Sequence, residues 1–247
     1  MSNFWGAYHF FLTLAFLFFI GSTIGWGIEV IFRRFFSSAN PERKWINPGF
    51  LNGPYLPLYG FGLCFLYLLA SLEKISTIEN VVLNRIVLFA AMAVAMTVIE
   101  YIAGIIFIKG MKIKLWDYSD EWGNIGGIIC PKFSFFWAVL GAVYYFLIHP
   151  YILGALDWLS NNLAFSFVVG LFFGVLLVDF GYSIKLTTRI RKFADDHDIV
   201  VKYEQLKETV RKSAEERKEK AKFMFSFHSE HNLAEQLEKY LERIKKR

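Results

Sequence analysis

Five long apolar runs, residues 8–32, 56–72, 86–108, 133–148 and 163–184, alternate along the chain with short polar stretches. Each approaches or reaches the length at which an α-helix crosses the hydrocarbon core of a bilayer. The pattern predicts an all-α, polytopic membrane protein with five transmembrane helices, and the odd count puts the two termini on opposite sides. Beyond residue 185 the pattern changes to charged positions interrupted at helical spacing by Tyr203, Leu206 and Val210, then by Leu233, Leu237, Tyr240 and Ile244. This predicts a membrane domain over 1–185 and a charged helical cytoplasmic tail over 186–247.

The stretch between the first two runs, WINPGFLNGPYLPLYGFG at 45–62, fits neither pattern. It is too apolar for a solvated loop, and its three prolines and four glycines break any single helix. At membrane depth, irregular backbone is tolerated only where protein or a watery cavity covers its polar groups. A packed or re-entrant element that forms part of a site is therefore expected, with Asn52 and Tyr59 among its residues. Residues 115–131 repeat this logic: an aromatic approach at Trp116, a polar centre with Asp117 and Asn124, then apolar residues and Pro131.

Carboxylates precede both bent stretches. Glu29 closes the first run beside Trp26 and stands 23 residues before Asn52, while Glu100 stands 24 residues before Asn124. The matched spacing suggests two helix, bent loop, helix units, and because each has two spans the repeat is parallel. Glu29 lies one turn before Arg33, so either an i, i+4 ion pair or an inward-facing role fits it. Glu100 is nine residues from Lys109, roughly 13 Å along a helix, too far to reach water easily. It needs a partner, a proton or a cavity. Asp179 is a third carboxylate inside an apolar run. The triplet Asp179-Phe180-Gly181 spells a kinase motif by accident, since no glycine-rich or catalytic loop accompanies it.

Charge sets the orientation. The loops after the first and third runs and the end of the fifth are rich in Lys and Arg, whereas the alternate loops offer Lys74 and Arg85. The amino terminus is expected outside and the carboxyl terminus in the cytoplasm of a cell membrane. The first run lacks a basic leader and a cleavage site, so it reads as a retained anchor. From Lys185 onward 17 Lys and Arg face 12 Asp and Glu, a difference of +5, which equals the net charge of the whole 247-residue chain. Basic residues beside Phe223, Phe225 and Phe227 would suit the anionic inner leaflet or a cytoplasmic protein. Acids at helical spacing dilute this charge and argue against nucleic acid. With 55% hydrophobic residues and 27 Phe, the chain exceeds the needs of one soluble core. Cys64 and Cys130 lie in or beside apolar segments, which disfavours a disulfide framework. The five His are scattered without metal-ligand spacing, and nothing in the sequence calls for a cofactor.

Several motifs resemble a bacterial family labelled putative ABC-transporter type IV, or CmpB-like, permeases. They are Gly25-Trp26-Gly27-Ile28-Glu29, residues 47–54 and 57–62, Glu100, Trp116-Asp117-Tyr118-Ser119, and residues 124–130. The resemblance covers roughly 16–148 and implies a membrane transport component. The chain has no P-loop, so ATP hydrolysis would come from a separate ATPase subunit. In that reading Glu29, Glu100 and Asp179 line a cytoplasm-facing polar cavity formed by the bent loops, with Trp26, Asn52, Tyr59, Trp116, Asp117 and Asn124 as substrate or ion contacts. Two alternatives stand beside it. One is a non-catalytic membrane partner or scaffold. The other is an enzyme acting on a lipid or envelope precursor, against which stands the absence of a nucleophile with an adjacent base.

Overall fold

The computed structural model describes residues 2–37, 40–75, 78–216, 237–238 and 240–242. In chain order these form α1 (Ser2–Phe35), α2 (Pro57–Ser71), α3 (Val81–Ile105), β1 (Ile113–Lys114), α4 (Pro131–Val143), α5 (His149–Asn161), α6 (Ser166–Asp196), β2 (Val201–Lys202) and α7 (Tyr203–Glu216). Four helical stretches are long and apolar enough to cross a membrane: Gly6–Phe35, Val81–Gly110, Pro131–Leu159 and Leu163–Asp196. They coincide with the first, third, fourth and fifth apolar runs.

The second run behaves differently. Helix α2 has 15 residues, about 22 Å of rise, less than the roughly 30 Å hydrocarbon core. Pro57 sits in its first turn, where the missing N–H costs nothing. The helical stretch of the fourth run, Pro131–Leu159, continues past its expected end at residue 148. Tyr144–Ile148 form a π-helical turn, and Pro150 falls in the first turn of α5, so the chain absorbs the proline and continues. A second π-helical turn, Ile106–Gly110, ends α3.

The chain divides into two compact units. The first comprises Met1–Gly25, Tyr55–Ala103 and Tyr118–Leu176. One of its cores gathers Leu17, Leu66, Met92, Met96, Trp137, Tyr144 and Ile152; another joins Leu12 and Phe16 to Leu159 and Val169. Small residues set the approach of α1 and α2. A Cβ on Gly25 would collide with the Tyr59 side chain, and one on Gly60 with Ser22 Oγ. The Leu56 N–H donates to the Ser22 carbonyl at 2.9 Å, tying the start of α2 to the middle of α1.

The second unit comprises Trp26–Pro54, Gly104–Asp117 and Leu177–Arg247. Its core contains Ile113, Ile190, Ala194, Val201, Tyr203, Leu206 and Val210, together with Leu237 and Tyr240. The strands β1 and β2 are short and parallel, with Ile113 opposite Val201 and Lys114 opposite Lys202. Tyr203, Leu206 and Val210, one apolar stripe of α7, are therefore buried against this unit. The residues between the two expected tail helices lie outside the described residues, as do Leu233 and Ile244.

Candidate functional site

In the second unit the first bent loop is braced by its own asparagine. Asn47 Oδ1 accepts the Trp26 indole N–H at 2.6 Å. Its amide donates to the carbonyls of Leu51 and Asn52 at 3.1 and 2.9 Å. An Asn suits this task because one planar group both accepts and donates. Gly49 takes φ +74°, a left-handed conformation that costs glycine little.

The same loop closes on a carboxylate from α6. Asp179 accepts the main-chain N–H of Asn52 (2.9 Å to Oδ2) and of Gly53 (2.8 Å to Oδ2). It also accepts the Asn52 side-chain amide (2.9 Å to Oδ1), and Ser183 Oγ lies 3.3 Å away. Hydrogen bonds to an ionised acceptor are the stronger kind, and several converging on one carboxylate form an anion-binding nest whose anion belongs to the protein.

Helix α7 supplies a third hold. Lys207 Nζ donates to the carbonyls of Asn47 and Gly49 at 2.8 and 2.7 Å. Glu204, one turn earlier, pairs with Arg33 Nη1 at 2.6 Å and lies 3.6 Å from Lys207. Arg33 also pairs with Glu29 at 2.9 Å, so Glu29 makes the i, i+4 ion pair. Two acids and two bases thus neutralise one another in a largely buried cluster. Burial raises the pKa of Glu204, but Arg33 and Lys207 outweigh it and leave the carboxyl below its ordinary value. Burial pulls Lys207 down to about 8, against the attraction of Glu204.

Asp117 occupies a separate position in this unit. It bridges two register partners of the small sheet, Lys114 at 2.7 Å and Lys202 at 2.6 Å. Trp116 is half-buried immediately before it.

In the first unit Glu100 is 3% exposed. Its Oε1 accepts the Tyr118 hydroxyl at 3.0 Å and its Oε2 the Trp137 indole N–H at 2.9 Å. Tyr59 packs 5.3 Å from Trp137 between ring centroids, and Tyr118 stacks on Phe133 at 4.1 Å. Asn124 braces the second bent loop much as Asn47 braces the first. Its amide donates to the carbonyls of Ser119 and Glu121, and its Oδ1 accepts the Gly127 N–H at 3.0 Å. Gly126 and Gly127, at φ +61° and +66°, let the chain reverse between Ile125 and Ile129, which are bridged.

The structure therefore joins Trp26, Asn52 and Asp179 around one loop, and Tyr59, Glu100 and the chain before Asn124 around the other. Glu29 and Asp117 also belong to the second unit, Glu29 pairing with Arg33 and Asp117 with Lys114 and Lys202, and half-buried Trp116 directly precedes Asp117. Asn47 and Tyr118 stood in the motifs of the sequence without being named as site residues, and Trp137, Glu204 and Lys207 were not singled out at all. The i, i+3 spacing of Glu204 and Lys207 beside the Tyr203, Leu206, Val210 stripe was the available signal for the last two. Among the described residues no group of three or more His, Cys, Asp or Glu side chains is placed to hold a metal ion.

Residues 16–184 match the model of a family described as putative ABC-transporter type IV. The match includes Asp179 and excludes α7. No curated protein and no solved structure matches the chain.

Proposed function

Starting from a chain that belongs to the family described as putative ABC-transporter type IV, we propose that it is a multi-pass membrane transport component whose bent loops exchange partners at two intramembrane carboxylates. The observation that carries this reading is the Asp179 nest. An ionised side chain inside an apolar helix is costly unless compensated, and here the compensation comes from the N–H groups of a loop. A cation or a substrate donor that competes for Asp179 would free the loop's Asn52 and Gly53 N–H groups. The loop then rearranges or binds an acceptor in turn. Glu100 repeats the scheme with Tyr118 and Trp137 as its donors.

Such a component crosses the cell membrane with its amino terminus outside and its bent loops and tail in the cytoplasm, α2 forming a short fifth span. The energy for transport comes from a separate ATPase subunit. The test is purification from native membranes in mild detergent, with mass spectrometry of what remains bound, followed by ATP hydrolysis in proteoliposomes. Support is a stoichiometric nucleotide-binding subunit whose hydrolysis falls in Asp179→Asn and Glu100→Gln. A chain that purifies alone, with no hydrolysis to couple, overturns the reading in favour of a membrane scaffold.

A further inference from the structure

Lys207 and Glu204 lie on α7, outside residues 16–184 that match the family, yet Lys207 touches the loop on which the proposed function depends, and Glu204 lies 3.6 Å from Lys207. Lys207 holds the carbonyls of Asn47 and Gly49, one on each side of Pro48. Asn47 is also the residue whose side chain braces the loop toward Leu51 and Asn52. Asn52 in turn delivers its main-chain and side-chain N–H groups to Asp179. A covalent and hydrogen-bonded path therefore runs from α7 through Asn47 and Asn52 to Asp179.

The anchoring of α7 makes this path mechanically meaningful. Glu204 pairs with Arg33 at the end of α1, and the Tyr203, Leu206, Val210 stripe is buried with Ile113, Ile190 and Val201. Leu237 and Tyr240, far along the tail, join the same core, and the Tyr240 hydroxyl accepts the Lys202 N–H at 3.0 Å. Charge-assisted bonds to two carbonyls fix both the position and the direction of a backbone segment, which apolar packing alone does not do.

We propose that Lys207 and Glu204 are positioning residues of the first bent loop, so that displacement of α7 alters the donors presented to Asp179. The inference rests on the transport reading for its purpose, but its physical content is the coupling of α7 to the loop. In that coupling the tail acts as a control element and not as a separate appendage.

Hydrogen exchange on the full-length protein in lipid nanodiscs tests the coupling. In Lys207→Met, peptides covering 44–54 are expected to exchange about tenfold faster, the loss of one to two charge-assisted bonds. Peptides covering 118–130, around the Glu100 site, keep their wild-type rate, and Lys207→Arg restores protection to the loop because it keeps the donors. A general loss of protection in both loops, or an unchanged first loop, overturns the inference.

Should the variants fail to assemble, the wild-type protein decides the matter. Under increasing denaturant, residues 44–54 and 203–210 must open with the same free energy if one holds the other. A loop that opens while α7 stays closed overturns the coupling. If the loop loosens as expected but Asp179→Asn leaves transport intact, the coupling stands and the transport role of Asp179 falls.

Discussion

Asp179 takes two hydrogen bonds of 2.9 Å from Asn52, one from its main-chain N–H and one from its side-chain amide, across 127 positions of sequence. The neighbouring Gly53 N–H adds a third at 2.8 Å. All of these groups donate, so the carboxylate's acceptor-only character is what the site requires. Asp179→Asn keeps the size but turns an NH2 group toward some of these donors. We expect a loss of roughly 2–3 kcal/mol, the scale of charged hydrogen bonds left unmade, and about 5–10 °C in unfolding temperature for a chain of this size. Thermal unfolding in detergent measures it. A wild-type midpoint in the variant would show that the loop does not depend on Asp179.

Glu100 separates charge from hydrogen bonding. A Gln there still accepts the Trp137 N–H through its one oxygen, while the Tyr118 hydroxyl rotates to accept from the amide. Glu100→Gln is therefore expected to unfold within about 1 kcal/mol of wild type, whereas Glu100→Ala orphans a buried indole N–H and costs roughly 2–3 kcal/mol. If the carboxylate charge serves transport, Glu100→Gln folds and is inactive. Parallel unfolding and transport measurements on the two variants check this, and a fully active Glu100→Gln removes the charge from the mechanism.

Two sets of glycines make opposite predictions. Gly25 has the Tyr59 side chain where its own Cβ would be, and Gly21 has Leu63 Cβ and the Tyr59 carbonyl 2.8 Å from that point. Those are atoms at or next to the backbone, so α1 and α2 would have to separate. Gly25→Ala should cost about 1–3 kcal/mol or more, the range for overpacking. Gly170 and Gly174 on α6 have nothing within 4 Å of a Cβ. Gly174→Ala should change stability by no more than about 0.5 kcal/mol, or raise it through helix propensity. Unfolding midpoints of the two variants in one detergent compare them directly.

These contrasts show what the sequence could and could not disclose. The apolar runs announced the four long helices because length and hydropathy are local properties. The shortness of α2 was visible in Pro57, and the continuation past His149 was hidden because a π-helical turn leaves little mark on composition. Glu29 and Arg33 were legible as an i, i+4 pair. Their link to Glu204 was not, since nothing local relates positions 33 and 204. The matched spacing drew attention to Asn52 and Asn124, yet the residue that braces the first loop as Asn124 braces the second is Asn47. Asn52 instead reaches Asp179. Both loops carry Asn for its mixed donor and acceptor group, and only three-dimensional neighbours decide which Asn does which task.

The buried cluster at the foot of α7 gives a pH signature with two limbs. Glu204 titrates below its ordinary value of 4.5 because Arg33 and Lys207 outweigh its burial. Its contribution is therefore complete above pH 4.5 and disappears as the pH falls through the lower folded value. Lys207 runs the other way. Its folded pKa is about 8 against an ordinary 10.5, so between those values the unfolded chain binds more protons. Stability attributable to Lys207 consequently rises with pH across that window, despite the weakened attraction to Glu204. Lys207→Met removes the titration, so the unfolding midpoint of wild type minus that of Lys207→Met should increase from pH 7 to pH 9.5 in a non-ionic detergent. A difference that stays constant would mean that Lys207 keeps its proton throughout, as an exposed lysine does. A decreasing one would mean that the ammonium charge stabilises the cluster more than burial penalises it.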